Sequence, residues 1–169
     1  MKLRSTQAGT SLIEILVSMV VFGVGLAGSA ALSLTSLRGA TDGYFVSQAT
    51  ILSYELADTM RGNIAGYEVS GFASTPASAP DICTPEAECT PEEQSQYDVG
   101  TWLIHVADVL PVGTALICMD STPDDGQPEA PACDGAGLNT IKIFWFDRST
   151  QEGLGEGESF HRLALSLVP

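Results

Sequence analysis

One stretch near the start of this chain constrains its structure more than any other. Residues 12–37 read LIEILVSMVVFGVGLAGSAALSLTSL, a run of 26 residues in which Glu14 alone is ionisable. About 20 apolar residues in a helix span the hydrocarbon core of a bilayer. The stretch is therefore predicted to form a helix that can cross a membrane once.

Basic residues are more frequent before this run than directly after it. Lys2 and Arg4 precede it, and the next basic residue is Arg38. The positive-inside tendency predicts a cytoplasmic N-terminus and places the rest of the chain on the other side of the membrane. An ordinary secretory signal, cleaved within Ala27–Ala31, is the alternative interpretation.

Two features disfavour a secretory signal. A carboxylate at the centre of a membrane helix costs about 2.5–3.5 kcal/mol and less near its end, so Glu14 is a candidate functional residue. A snorkelling carboxylate at the membrane edge is the alternative.

Apolar residues also continue at helical spacing beyond the run. We predict one helix from about Ser11 to Ile64, whose second half packs against a small domain. The residues that continue the pattern are Phe45, Ala49, Leu52, Leu56, Met60 and Ile64.

The remaining sequence predicts a small α+β domain. Gly, Ser, Pro and acidic residues indicate loops, alternating apolar residues indicate strands, and apolar residues at helical spacing indicate a short helix. The fold class is a long N-terminal helix packed on a small antiparallel sheet with disulfide-stapled loops. The predicted elements are a loop over 65–97, a helix over 98–110 capped by Asp98 or Thr101 and stopped by Pro111 and Gly113, a strand over 114–119, a loop over 120–137, and paired strands over 139–147 and 160–168.

Four cysteines follow the apolar run, namely Cys83, Cys89, Cys118 and Cys133. An even number in a small exported domain favours disulfides, and the C-x-x-C pairs of a zinc ribbon are absent. Four cysteines allow three connectivities. The pairs nearest in sequence, the first with the second and the third with the fourth, are the ones we favour.

The charge balance bears on possible partners. The chain has 21 acidic and 7 basic residues, a net charge of −14, and loss of Lys2 and Arg4 would leave five basic residues and a balance of −16. Binding to a phosphate backbone needs clustered Lys and Arg. Direct nucleic-acid binding is therefore not expected.

Catalytic and metal chemistry find little support in the sequence. His105 and His161 lie far apart, with no pattern of nucleophile, base and orienting group, so we expect no enzyme and no cofactor. Residues 120–126, DSTPDDG, could offer carboxylates to calcium, but their spacing does not fit a calcium loop. A solvated acidic turn is the preferred interpretation, and no metal site is predicted.

The segment Ala8-Gly9-Thr10-Ser11-Leu12-Ile13-Glu14 resembles the prepilin signature of type IV pilins and type II secretion pseudopilins. The likeness consists of a basic leader ending in Gly, a small residue, and Glu as the fifth mature residue. It implies that a prepilin peptidase cuts after Gly9 and that Thr10 becomes the new terminus and the site of N-methylation, although Phe is usual there. Glu14 would pair with the amine of a neighbouring subunit.

The resemblance also implies an organisation and a location. Residues 1–9 would be the leader, 10–38 the membrane and filament-core half of the helix, and 39–169 the globular domain, which includes the second half of the helix over 39–64 and a sheet within 114–168. The chain would enter the inner membrane once, with its domain in the periplasm, and then reach the pilus at the cell surface.

Later blocks resemble one branch of that family, the minor pilins of the PilV kind known as pilus modification proteins. This implies assembly with other minor pilins and the major pilin, and a role in pilus biogenesis, twitching motility or adhesion. Two alternatives stay open: a type II secretion pseudopilin, and a single-span protein with an outer binding domain. The blocks are SQAT at 47–50, ADTMR at 57–61, the segment from Trp102 to LPVG at 110–113, and IKIFWFD at 141–147.

Overall fold

The computed structural model describes residues 11–70, 83, 89–146 and 160–167. The chain divides into two units between Thr41 and Asp42. The described elements confirm the α+β class. They are the helices α1 (Leu12–Gly62), α2 (Ile64–Ser70) and α3 (Pro91–Val109), and the strands β1 (Thr114–Asp120), β2 (Leu138–Phe146) and β3 (Phe160–Leu167).

The first unit contains the N-terminal part of α1. Every side chain from Ser11 to Thr41 is exposed, including large apolar ones such as Leu32 at 74% and Phe22 at 69%. A helix that is apolar around its whole circumference belongs in a membrane or in the interior of a larger assembly. This part of α1 therefore has the surface of a helix that is not solvated by water.

In the second unit, α1 buries one face. The buried positions recur at the helical spacing expected from the sequence, and α1 ends at Gly62, close to the predicted end at Ile64. Burial of such a stripe is what stabilises most helices in globular domains. The buried residues are Ala49, Leu52, Ser53, Leu56, Ala57 and Met60.

The loop predicted from residue 65 onward is wrong for residues 65–70, which form most of α2. The Nδ2 of Asn63 donates to the carbonyl of Pro91 at 2.7 Å, and the hydroxyl of Ser95 donates to the carbonyl of Gly66 at 3.3 Å. A Cβ at Gly66 would lie 2.0 Å from the Pro91 carbonyl oxygen, so only glycine allows this approach. The predicted loop residues 71–82 and 84–88 lie outside the described residues.

The loop prediction is also wrong for residues 91–97, because α3 begins at Pro91. The N-cap is Thr90, not Asp98 or Thr101: the Glu93 N–H donates to the Thr90 hydroxyl at 3.2 Å, and the Thr90 N–H donates to the Glu93 carboxylate at 2.8 Å. This reciprocal capping box, with proline at the start, is a sequence signal for a helix. The predicted C-terminal stop is confirmed, since α3 ends at Val109.

The three strands form one antiparallel sheet in the order β1-β2-β3, which confirms the predicted pairing of the last two strands. Ile117, Ile141 and Leu165 lie side by side across it. The central strand β2 is buried over residues 140–145, so both of its faces are covered. Asp147 and Val168, predicted as strand ends, and the connection 149–159 lie outside the described residues.

One face of the sheet joins the helices in a single core. The Trp102 indole N–H donates to the carbonyl of Leu52 at 2.8 Å, which joins α3 to α1. The buried core residues are Ala49, Leu52, Leu56, Ala57, Met60, Tyr67, Val99, Trp102, Val106, Leu110, Ile117, Ile141, Ile143 and Trp145. The other face, with Lys142 and Phe144, turns toward the segment between β1 and β2.

Candidate functional site in the N-terminal helix

The helix α1 begins at Leu12, three residues after Gly9. The Glu14 N–H donates to the carbonyl of Ser11 at 3.0 Å, and the Ser18 hydroxyl donates to the carbonyl of Glu14 at 2.7 Å. Glu14 is the acidic residue of the first turn. A carboxylate there is favoured by the partial positive charge at the helix N-terminus. Local structure thus tolerates Glu14 within an otherwise apolar segment.

The surroundings of Glu14 are mostly apolar. It lines a shallow surface depression together with Ile15, Ser18, Met19 and Phe22. In a bilayer or a helix bundle, water could not solvate this carboxylate fully, and an approaching cation would lower the cost of its burial. The chemistry that this site offers is the binding of a positively charged group next to an apolar surface.

The rest of the N-terminal helix meets the requirements of a membrane span. Its most apolar window of 18 residues has a mean hydropathy of 2.2, and none of that window is buried within the chain. Length and composition alone give this result. Gly9 and Thr10, the predicted processing residues, lie outside the described residues, so their roles remain predictions.

The favoured disulfide pairing is confirmed. Cys83 bonds to Cys89, and Cys118 bonds to Cys133. The first disulfide ends one residue before the N-cap of α3, and the second closes the segment that connects β1 to β2. Both disulfides thus lie next to regular elements, and disulfides are common in small exported domains.

Lys142 organises the segment between β1 and β2. Its ammonium donates to the Pro131 carbonyl at 2.8 Å and to the Asp125 carboxylate at 3.1 Å, and it forms an ion pair with Asp120. The side chains of Lys142 and Asp120 are both 0% exposed. The predicted solvated acidic turn is therefore wrong at Asp120, because a lysine on the neighbouring strand neutralises that carboxylate in the interior.

Arg162 on β3 supports the same segment. Its guanidinium donates to the Gly126 carbonyl at 2.8 Å and also to the Asp124 carbonyl. Gly126 has a φ of 88°, and a Cβ there would lie 2.3 Å from the Pro131 carbonyl oxygen. Cations of the sheet thus hold backbone carbonyls of the connecting segment in place.

Hydrogen bonds lower the pKa of three acidic residues of the domain. Donation by the Thr122 hydroxyl, followed by that of Lys142, lowers the pKa of Asp125 below its ordinary value. The Ser121 hydroxyl lowers the pKa of Asp134. The Thr90 backbone N–H and then its hydroxyl lower the pKa of Glu93. Each of these carboxylates is a structural acceptor held in its charged form.

Near α3, burial raises the pKa of two groups. Desolvation raises the pKa of Asp98, against the effect of the hydrogen bond from Gln94. Desolvation also raises the pKa of Tyr67, and the charge of Asp98 adds to that effect. Asp98 is thus a carboxylate whose environment disfavours its charge.

The two histidines occupy separate places. His105 is half exposed on α3, with its Nδ1 3.8 Å from the Glu55 carboxylate, while the ring of His161 stacks on Trp145 at 5.3 Å between centroids. The structure does not bring these histidines together. Among the described residues there is also no group of three His, Cys, Asp or Glu side chains that could hold a metal ion.

Comparison with known proteins gives one match. Residues 4–30 match the family described as the prokaryotic N-terminal methylation motif. Neither the curated proteins nor the solved structures include a significant match to the chain. The motif indicates a type IV pilin-like protein of a pilus or pseudopilus, and it implies processing by a prepilin peptidase. With the apolar helix, it fits an anchor in the inner membrane.

Proposed function

We propose that this chain is a minor subunit of a type IV pilus that acts by assembly and not by catalysis. A prepilin peptidase cuts it after Gly9, α1 anchors it in the inner membrane, and it then enters or primes a filament with other minor pilins and the major pilin. Its domain faces the periplasm and later the cell surface. It contributes there to pilus biogenesis, twitching motility or adhesion.

One observation carries the proposal: the matched methylation motif covers the start of α1, whose first turn contains Glu14 and whose side chains in the first unit are exposed on every side. Apolar surface of this extent gains about 25 cal/mol for each Å² removed from water. Within lipid that gain is already realised, so subunit contacts in a filament depend on close packing and on pairing of polar groups.

Glu14 supplies the polar group in this mechanism. Cleavage after Gly9 converts the nitrogen of Thr10 into a cationic terminus that the uncut chain does not have. An amine from one subunit beside the carboxylate of the next would satisfy both charges in an apolar setting, whereas either charge alone would be costly there. The pairing thereby selects one axial offset between neighbouring helices.

The pilus assignment rests on the blocks of the second unit that resemble pilus modification proteins. Several of their residues occupy core positions, among them Ala57, Trp102 and Ile143. Such positions maintain the fold, which supports a related domain. Because they are buried, they do not distinguish a pilus from a secretion pseudopilus, and a separate experiment must do so.

The first test is the mass of the mature N-terminus in cells with and without the prepilin peptidase. We expect a peptidase-dependent start at Thr10, and we expect Gly9→Val to abolish it because a bulky side chain precedes the cut bond. A chain that keeps Met1 in peptidase-positive cells, or one that starts near Ala30, would contradict the proposal.

The second test compares deletion of the gene with complementation by Glu14→Gln, which keeps the size of the side chain and removes its charge. We expect fewer surface pili in both strains, normal cleavage of the variant, and unchanged secreted enzyme activity. Loss of secretion with normal pili would instead assign the chain to a type II secretion pseudopilus. Normal pili and secretion in both strains would favour a single-span binding protein.

A further inference from the structure

A groove runs between α1 and α3 within the second unit. Its volume is about 220 Å³, which at roughly 30 Å³ for each water corresponds to about seven waters. The Trp102 indole, hydrogen-bonded to the Leu52 carbonyl, holds the two helices together at this level. The groove is therefore a fixed feature of the helix pair. Its lining residues are Glu55, Leu56, Thr59, Tyr97, Asp98, Thr101, Trp102 and His105.

The lining combines negative charge with aromatic surface. Glu55 contributes a carboxylate from α1, Asp98 contributes one from α3, and Tyr97 and Trp102 contribute rings. Carboxylates beside ring faces are the surroundings that favour an arginine guanidinium or a lysine ammonium, through ion pairs and cation–π contacts. The groove thus has the chemistry of a receptor for one cationic side chain.

The charges of the groove are incompletely balanced. His105 lies 3.8 Å from the Glu55 carboxylate and is half exposed, whereas Asp98 accepts a hydrogen bond at 2.7 Å from the neutral amide of Gln94. Burial raises the pKa of Asp98, so its charged form lacks full compensation. A cation from outside would supply that compensation.

The rim of the groove also has the character of an interface. On α1, Ile51 is 56% exposed one turn before Glu55. On α3, Ile104 is 39% exposed beside His105. Exposed apolar residues around a polar centre provide the water-excluding surface that strengthens a central contact in protein interfaces.

We infer that the groove between α1 and α3 receives a lysine or arginine side chain from a neighbouring subunit of a different, more basic kind. The inference rests on the proposed function, because filament assembly is what brings such a neighbour alongside. It adds a specific contact in the second unit to the general helix packing of the first.

Charge complementarity argues against a second copy of this chain as the occupant. The full chain carries a net charge of −14, so two copies repel each other. The cations described in the second unit are also engaged: Lys142 is buried with Asp120, Arg61 bonds to Asp58, and Arg162 donates to two carbonyls. Neither argument applies to a partner that is more basic than this chain.

The test is a bacterial two-hybrid assay of the full-length chain against itself and against each of the other prepilins of the source organism. We expect Glu55→Lys to lower the signal of at least one heterologous pair about tenfold, as loss of a desolvated charge contact does. Asp98→Asn should lower the same signal less. A Lys→Glu or Arg→Glu substitution in that partner should restore binding to Glu55→Lys.

Glu129→Lys is the matched control, because it changes the net charge equally at an exposed residue of the segment between β1 and β2. Three outcomes would each overturn the inference. Glu129→Lys could lower the two-hybrid signal as much as Glu55→Lys does, no other prepilin could give a signal with this chain, or Glu55→Lys could abolish an interaction of the chain with itself. The mature N-terminus of each variant is measured in parallel. A start at Thr10 with no effect of Glu55→Lys rejects the inference alone, whereas an uncut chain rejects the proposed function.

Discussion

The two parts of α1 differ in what surrounds them, although they belong to one continuous helix. Residues 12–41 are exposed on every side, whereas residues 42–62 bury one face against the core. Leu32 is 74% exposed and Leu56 is 1% exposed. A helix can thus be amphipathic where its own chain covers it and uniformly apolar where a membrane or other subunits must cover it. The free energy of unfolding should therefore depend on contacts of the second unit alone.

The largest expected effect concerns the buried ion pair. Lys142→Met leaves the Asp120 carboxylate buried without its counter-ion, which should lower the free energy of unfolding by about 3–5 kcal/mol. The measurement is denaturation of the full chain in detergent, followed by the fluorescence of Trp102 and Trp145, which lie in the core. Adding Asp120→Asn should recover much of the loss, because the uncompensated charge is removed.

Arg61→Met is the control for this prediction, since it breaks an ion pair whose side chains are 60% and 74% exposed. Exposed pairs contribute about 0–1 kcal/mol. Equal losses for Lys142→Met and Arg61→Met would show that the interior of the second unit is open to water. That outcome would weaken the contrast between the two units.

The next effect compares two identical substitutions within α1. Leu56→Ala removes a fully buried side chain and should cost about 2–5 kcal/mol of unfolding free energy. Leu32→Ala removes an exposed one and should leave the same transition within about 0.5 kcal/mol. The tryptophan fluorescence described above reports both. A comparable loss from Leu32→Ala would mean that the first unit contributes to domain stability.

The sequence predicts α1 well because several independent signals agree there. Length, apolar periodicity and the motif around Glu14 are all local, and each depends on few residues. The start of α3 was missed although its signal is equally local, because apolar periodicity begins late in that helix while the capping box at Thr90 marks its first residue. Cap chemistry was the better guide to the boundary.

Other features lie beyond any local pattern. Lys142 appears in the sequence as a lone charge within an apolar strand, and its neutralisation requires Asp120 and Asp125, which the sheet register and the Cys118–Cys133 disulfide bring to it. The groove likewise needs Glu55 and Asp98, which come from different helices. Pairings of this kind arise only from tertiary packing, so single-sequence patterns do not contain them.

The smallest expected effect on the free energy of unfolding is that of the Asp98 charge, and it follows from the same contrast between buried and exposed groups. Its folded pKa is raised, so the unfolded chain ionises first as pH increases. The contribution of Asp98 to stability should therefore fall as pH rises from the unfolded value, about 3.9, through the folded pKa, and stay constant above it. Asp98→Asn cannot ionise and still accepts the hydrogen bond from Gln94.

We therefore expect Asp98→Asn to be slightly more stable than the original chain at pH 7, by less than about 1 kcal/mol since the residue is partly solvated. The two proteins should become equally stable below about pH 3.9. The lowered pKa values of Glu93, Asp125 and Asp134 affect both proteins alike and cancel in the difference. Unfolding curves at several pH values measure the difference in unfolding free energy between the two proteins. A difference that grows toward low pH would contradict the prediction. A variant that gains stability but loses its partner would show that the carboxylate serves binding, at the expense of folding.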